Sequence, residues 1–299
     1  MHARILFSSA ALFSLFLAAD SIRAEVPQGV ASRPGSRPTD TANAEQIAVA
    51  AAGIKQIIAH RGSSVDRPEN TLTSTLRAIE AGATAVEVDV RATHDGRLVL
   101  SHDATLDRTT DGTGLISEKT LEEIRRLDAG SWFDKRYAGE RMPTLDEVLA
   151  VCRSKIDVLL DLKETGDDYA RRVVEVVKKH GEPARTIVGV RSVEQAELFR
   201  KLLPQARRIG LIATPADIER FAATRVEWIR LWPKWLADDM LVERVRKAGA
   251  GLHLNGETGT PEELSMLLKH RPDSVSGDDP ARIVAILKQL KLPPAAVPN

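Results

Sequence analysis

From residue 54 onward, short apolar runs alternate with longer stretches in which apolar residues recur every third or fourth position. Runs of the first kind suit strands buried on both faces, and stretches of the second kind suit helices with one apolar stripe. Their alternation is the signature of repeated βα units. Strands are predicted over 55–60, 84–90, 97–102, 156–162, 185–190, 207–212, 226–232, 250–255 and 273–276. Helices are predicted over 71–81, 144–153, 167–180, 192–203, 215–223, 238–248, 260–270 and 280–290. That makes nine strands, one more than a (β/α)8 barrel holds. The second and third predicted strands resolve the excess. Only Arg91 to Gly96 separates Val90 from Arg97, and a parallel crossover needs about a dozen residues or more. Asp95-Gly96 suits a two-residue hairpin turn. Residues 84–102 therefore read as one antiparallel hairpin whose second arm stands outside the barrel, which leaves an α/β fold, a (β/α)8 TIM barrel. A turn on Asp95-Gly96 would pair Thr93 with Leu98, Arg91 with Leu100 and Asp89 with His102.

The segment 103–143 breaks the repeat and is predicted as a small insertion after the second barrel strand. A long loop leaving a barrel strand belongs to the catalytic face, so it is expected to cover part of the site. The chain opens with His2 and Arg4, then an apolar run from Ile5 to Ala18 interrupted only by Ser8, Ser9 and Ser14, and Ser21-Ile22-Arg23-Ala24 ends in a small residue suited to cleavage. Residues 1–24 read as a cleaved secretory signal, with an uncleaved anchor as the alternative. The protein is thus expected to be exported, periplasmic or secreted, with no integral membrane segment in the mature chain. Residues 25–53, rich in Pro, Gly, Ser and Ala, are predicted as a flexible linker with a short alanine-rich helix over 42–52. The barrel is assigned to 54–292 and a tail to 293–299. Cys152 is the only cysteine, which excludes an intramolecular disulfide and leaves stability to the core. Lys+Arg and Asp+Glu number 42 each, a balance that argues against nucleic acid as the main partner.

Glu87 and Asp89 alternate with Val86, Val88 and Val90, so both carboxylates point to one face of their strand. Two like charges so close need salt-bridge partners or a cation. Asp161, followed by Leu162 and Lys163, repeats the pattern at the end of the next barrel strand. Three carboxylates favour one divalent hard cation, Ca²⁺ or Mg²⁺. His60 and His102 each close a strand beside these acids, where a pair of imidazoles can take and give protons near neutral pH. Arg61 offers a donor fork and Lys163 a point charge, both suited to phosphate. Trp228, Trp232 and Trp235 fit an apolar substrate wall and ordinary packing equally well. His94, His180, His270 and Cys152 read as structural.

The motifs His60-Arg61-Gly62, Pro68-Glu69-Asn70-Thr71, Glu87-Val88-Asp89-Val90 and Ser101-His102-Asp103 together resemble the glycerophosphodiester phosphodiesterase family. So do Arg108 through Gly114, Leu127 through Phe133 and Pro143 through Leu149. The resemblance implies a barrel with an insertion after its second strand and metal-dependent hydrolysis of a small-molecule glycerophosphodiester. The products would be sn-glycerol 3-phosphate and an alcohol. It also implies His60 and His102 as the acid/base pair, Glu87 and Asp89 as metal ligands, and Arg61 and Lys163 on the phosphate. Asp161 stands where the family more often has Glu. Leu252-His253-Leu254-Asn255 stands where many members read Trp-Thr-Val-Asn, which makes His253 and Trp232 candidates for a substrate wall. Two further readings stay open: a phospholipase D-type activity on lysophospholipids or sphingolipids, and a catalytically silent protein that captures phosphodiesters.

Overall fold

Strand β2 (Ala85–Ala92) shows most directly why this chain closes into a barrel. Val86, Val88 and Val90 are fully buried in the layer between strands and helices, while Ala85, Glu87 and Asp89 are buried on the opposite face. A strand covered on both faces is what a parallel barrel requires. The structure, a computed structural model, describes residues 38–291. The proposed signal at 1–24, the first part of the linker and the tail at 293–299 lie outside the described residues.

The other barrel strands are β1 (Gln56–Ala59), β4 (Asp157–Leu162), β5 (Thr186–Val190), β6 (Arg207–Gly210), β7 (Trp228–Leu231), β8 (Gly251–Asn255) and β9 (Ser274–Gly277). With β2 they run in the order β1-β9-β8-β7-β6-β5-β4-β2, and pairing of β1 with β2 closes the ring. Every one of these pairings is parallel. The helices that return the chain are α2 (Leu72–Glu80), α4 (Leu145–Cys152), α5 (Asp167–His180), α6 (Val193–Leu202), α7 (Ile218–Ala223), α8 (Asp239–Lys247), α9 (Pro261–Leu268) and α10 (Pro280–Lys291). A short α3 (Leu121–Ile124) lies in the insertion, and α1 (Pro38–Gly53) precedes the barrel. No helix among the described residues is long and apolar enough to cross a membrane.

Inward-facing side chains fill the barrel in layers. Ile58, Ala85, Leu159, Ile187, Ile209 and Trp228 form a dry plug across it. Two residues further along most of these strands the inner positions turn polar: His60, Glu87, Asp161 and Arg230. One more step brings Asp89, Lys163 and Trp232. The apolar plug therefore sits beneath a polar mouth at the C-terminal ends of the strands, where barrel active sites are built.

Three expectations need correction. The antiparallel strand β3 (Leu98–Leu100) pairs with β2 outside the ring, but Arg91 lies opposite Val99 and Val90 opposite Leu100. The loop holds three residues, His94, Asp95 and Gly96, instead of two. The Thr93 N–H donates to the Arg97 carbonyl at 2.9 Å, and the Arg97 N–H donates to the Thr93 hydroxyl at 2.9 Å. Gly96 has φ +77°, as such a loop favours. The register therefore slips by one, and Ser101, not His102, bonds the Asp89 backbone. Residues 38–53, expected as the end of a linker with a short helix over 42–52, form one longer helix, α1. Its Ala50 and Ala51, with Ile54 beyond it, pack against Leu264, Leu268, Ile283 and Leu287 of α9 and α10; small apolar side chains let the helix lie close. The third correction concerns His253 and belongs to the site.

The insertion has a small core of its own, in which Leu106, Ile116, Ile124, Ala129 and Met142 gather on Val99 of β3. This anchoring fixes the first residues of the insertion beside the barrel mouth.

Candidate active site

Glu87, Asp89 and Asp161 come together because β2 and β4 pair in register, with Asp89 opposite Asp161. Their exposures are 5%, 1% and 8%, and one oxygen from each lies within 4.8 Å of the others. Such a knot of buried negative charge needs compensation, and most of it is visible. Lys163 Nζ stands 2.7 Å from Asp89 and 2.8 Å from Asp161. Arg191, at the end of β5, grips Asp161 at 2.5 and 2.8 Å. Asn70 clamps Asp89 twice: its amide nitrogen donates to the carboxylate at 2.8 Å, and its oxygen accepts the Asp89 backbone N–H at 3.0 Å. Burial alone would raise Asp89, but Lys163, Asn70 and Arg61 outweigh it and hold this carboxyl below the usual range.

Glu87 is compensated least. It accepts the Arg61 backbone N–H at 2.8 Å and has no cationic side chain within ion-pair distance among the described residues. Burial first, and the neighbouring Asp89 charge second, push its carboxyl up to about 8. A divalent cation among the three carboxylates would reverse that shift. The donor set, all oxygen and nearly dry, fits a hard cation.

Two histidines line the cavity above this acidic floor. His60, just past β1, has Nδ1 2.7 Å from Asp278, just past β9. Burial alone would lower the His60 imidazole, yet the Asp278 hydrogen bond and the Glu87 charge carry it above its ordinary value. His102, past β3, has Nδ1 2.8 Å from Asp103. Asp103 in turn is bound by Arg108 at 2.5 Å, and the Arg108 bond first, with His102 after it, pulls its carboxyl down to about 2. Each ring thus offers Nδ1 to a carboxylate and keeps Nε2 for other work.

Local backbone geometry sets these groups in place. Arg61 and Asn70 adopt left-handed φ values of +55° and +57°, uncommon for residues with side chains and typical of functional turns. Gly62 has φ +85°, and a Cβ there would meet the Ser74 hydroxyl and come within 2.7 Å of its backbone carbon. Glycine alone lets this turn rest on the start of α2. The Arg61 side chain reaches Glu69 at 3.1 Å and Asp89 at 3.4 Å, and Glu69 takes a two-pronged bond from Arg108 at 2.8 Å on each oxygen.

Above the acids opens a cavity of about 360 Å³, lined by His60, Arg61, Asp89, His102, Asp161, Lys163, Arg191, Arg230, Trp232 and Asn255 among others. Trp232 is 37% exposed and forms part of its wall. His253 does not. Its register beside Arg230 and Ser274 turns the ring into the barrel, 2% exposed, where it borders a smaller internal cavity of about 40 Å³. The ring bonds Ser274 and Asn255 at 2.9 Å each, and burial, then Arg230, push its pKa down to about 3. It stays a neutral spacer beneath the floor.

The structure therefore gathers His60, Arg61, Glu87, Asp89, His102, Asp161, Lys163 and Trp232 at one mouth and leaves His253 below it. Sequence reasoning passed over Asn70, Asp278, Asp103, Arg108, Arg191 and Arg230. Asn70 and Asp103 sat inside motifs already noted. Arg191 and Asp278 carry the weaker signal of a charged residue just past a predicted strand.

Known proteins resemble this chain in sequence and in fold. A profile of the Glycerophosphoryl diester phosphodiesterase family matches residues 60–282. A glycerophosphodiester phosphodiesterase of Caldanaerobacter subterraneus subsp. tengcongensis is 34% identical over 240 residues, which cover 78% of this chain and 98% of that protein. The crystal structure of a glycerophosphodiester phosphodiesterase from Agrobacterium tumefaciens superposes with a TM-score of 0.69 at 29% identity, covering 78% of this chain and all of that one. An Oleispira antarctica phosphodiesterase solved with the product sn-glycerol-3-phosphate has a TM-score of 0.69 at 30% identity, covering 80% of this chain and 99% of its own.

Proposed function

The chain belongs to the Glycerophosphoryl diester phosphodiesterase family, and from that premise we propose that it hydrolyses glycerophosphodiesters to sn-glycerol 3-phosphate and an alcohol, His60 and His102 serving as acid and base. One divalent cation, Ca²⁺ or Mg²⁺, would be held by Glu87, Asp89 and Asp161. The observation that carries this reading is the pair of carboxylate-backed histidines lining a single cavity floored by three buried acids.

When bound, the cation would supply positive charge to the phosphate oxygens as negative charge builds there. The protein's own residues do the rest. Asp278 and Asp103 accept from Nδ1 of their histidines, which leaves Nε2 of a neutral ring as a base and of a charged ring as an acid. One histidine withdraws the proton of the attacking hydroxyl, either the glycerol 2-hydroxyl or water. The other protonates the alkoxide as its bond to phosphorus breaks; where the 2-hydroxyl attacked, the cyclic phosphate left behind would be opened by water with the two rings in exchanged roles. Arg61 and Lys163 face the phosphate, and Trp232 offers an apolar face to the remainder of the substrate. The apolar barrel plug lies beneath the site, and the cavity opens at the mouth.

Cleavage between phosphorus and the alcohol oxygen can be read directly by phosphorus NMR of a glycerophosphocholine digest. The sn-glycerol 3-phosphate resonance should grow with release of free choline. Choline phosphate with free glycerol would place the break on the wrong side of phosphorus and defeat the proposal.

Glu87 also sets a pH dependence. Its folded pKa, about 8, lies above the ordinary 4.5. The fold thus favours the neutral acid, and its contribution to stability without metal is complete below about 4.5 and lost as pH rises through about 8. Binding a cation must displace that proton. Apparent affinity for Ca²⁺ or Mg²⁺ should therefore climb, by up to about tenfold per pH unit, until near pH 8 and then level off. Calorimetry in buffers of different ionisation enthalpy measures the released proton. A flat pH profile would remove Glu87 from the ligand set.

A further inference from the structure

Every other cationic side chain lining the mouth is already engaged by a carboxylate: Arg61 by Glu69 and Asp89, Lys163 by Asp89 and Asp161, Arg191 by Asp161. Arg230 is the exception. It is 9% exposed, forms no ion pair among the described residues, and its Nε is buried without a hydrogen-bond partner. Its guanidinium lies over the Trp232 ring at 4.1 Å from the centroid, and the residue lines both the mouth and the smaller cavity beneath it. A guanidinium stacked on an aromatic face is held flat with its N–H edge free to donate. Left unpaired in so dry a place it is costly, and costs of that kind collect where a ligand relieves them.

We propose that Arg230, braced by the face of Trp232, is a further receptor for the substrate's phosphate group, donating from its free N–H edge to the non-bridging oxygens. The inference rests on the phosphodiesterase reading and adds a third cation to Arg61 and Lys163, one that no carboxylate of the site engages. Arg230 sits on β7, across the barrel mouth from Glu87 and Asp89 on β2. A phosphate between them would meet the acidic floor on one side and the guanidinium on the other.

The test uses the full chain with Mg²⁺ present and compares wild type with Arg230→Met and Arg230→Lys. Methionine keeps an unbranched apolar stem but removes the guanidinium and its charge. Expected for Arg230→Met is a melting temperature equal to or above wild type without ligand, because an unpaired buried charge is gone. Its affinity for sn-glycerol 3-phosphate, measured by calorimetry, should be lower by about 10- to 100-fold, the range for losing a charge-assisted hydrogen bond. Arg230→Lys should recover part of that loss. A purely structural arginine would give the opposite pattern, a lower melting temperature or failure to fold in Arg230→Met with ligand affinity intact in Arg230→Lys, and that result overturns the proposal. Turnover of glycerophosphocholine by wild type in the same preparation separates the two levels. If wild type is active and Arg230→Met binds product normally, only the arginine's assignment falls. If wild type neither turns over the diester nor binds the product, the phosphodiesterase reading falls and takes this assignment with it.

Discussion

Alanine in place of His102 lowers kcat on glycerophosphocholine by about 10²- to 10⁴-fold, and alanine in place of His60 does the same, the usual worth of a positioned acid or base. The two rings handle one proton inventory between them, so the double variant should be little worse than either single one. Nδ1 of each ring is bound to an aspartate at 2.7 Å for His60 and 2.8 Å for His102. Neither ring belongs to the triad of acids, so metal affinity by calorimetry should stay close to wild type and KM should move by only a few-fold. The same logic reaches one residue further out. Asp278→Asn can present an N–H to His60 and hold the wrong tautomer, so it should lower kcat while leaving KM nearly unchanged. Either alanine variant retaining a tenth or more of wild-type kcat would remove that histidine from the chemistry.

Asp89→Asn should have the second largest effect, and on two observables at once. Asp89 is 1% exposed and meets Lys163 at 2.7 Å, Asn70 at 2.8 Å and Arg61 at 3.4 Å. Removing one member of a buried ion pair costs about 3–5 kcal/mol, because the partner charge is left without compensation. Lys163 keeps Asp161 at 2.8 Å, which places the loss toward the lower end of that range. The substitution also takes a charged oxygen from the metal site, and turnover should fall below detection at metal concentrations that saturate wild type. Denaturant unfolding and metal titration measure the two losses separately. Asp161→Asn makes a useful contrast: Arg191 would lose its one carboxylate partner among the described residues, yet that arginine is more exposed and can turn to solvent, so the stability cost should be smaller.

Much of this was legible in the sequence because the relevant periodicities are local. The alternation of Val86, Val88 and Val90 with Glu87 and Asp89 fixes which face carries the acids. A dry strand leaves no other way to bury the valines. The hairpin was legible as a hairpin, but its register was not. Thr93 closes a three-residue loop through both its backbone and its hydroxyl, a preference that Asp95-Gly96 masks. His253 was misplaced for a related reason. A strand pattern says which residues face inward but not at which layer of the barrel they stop, and His253 stops one layer short of the mouth. The arginines are the most instructive. Arg191 and Arg230 come from β5 and β7, far along the chain from the motifs, and only ring closure brings them to the acids. Whether each is paired depends on contacts that no linear spacing encodes. The alanine-rich stretch 42–52 was legible as a helix, but its extent over 38–53 and its packing on α9 and α10 were not, because small side chains carry no strong stripe to mark the surface they meet.

Chelated protein, freed of metal and assayed for release of sn-glycerol 3-phosphate from glycerophosphocholine before and after Ca²⁺ or Mg²⁺ is restored, bears most directly on the acidic triad as a metal centre. Negligible release in the chelated state, recovery with one of the two cations, and no recovery in Asp89→Asn are the expected findings. Full release from the chelated protein would mean that the cationic side chains of the mouth suffice to neutralise the phosphate, with Asp89 and Asp161 held by Lys163, Arg61 and Arg191 and Glu87 protonated, and no metal ion needed.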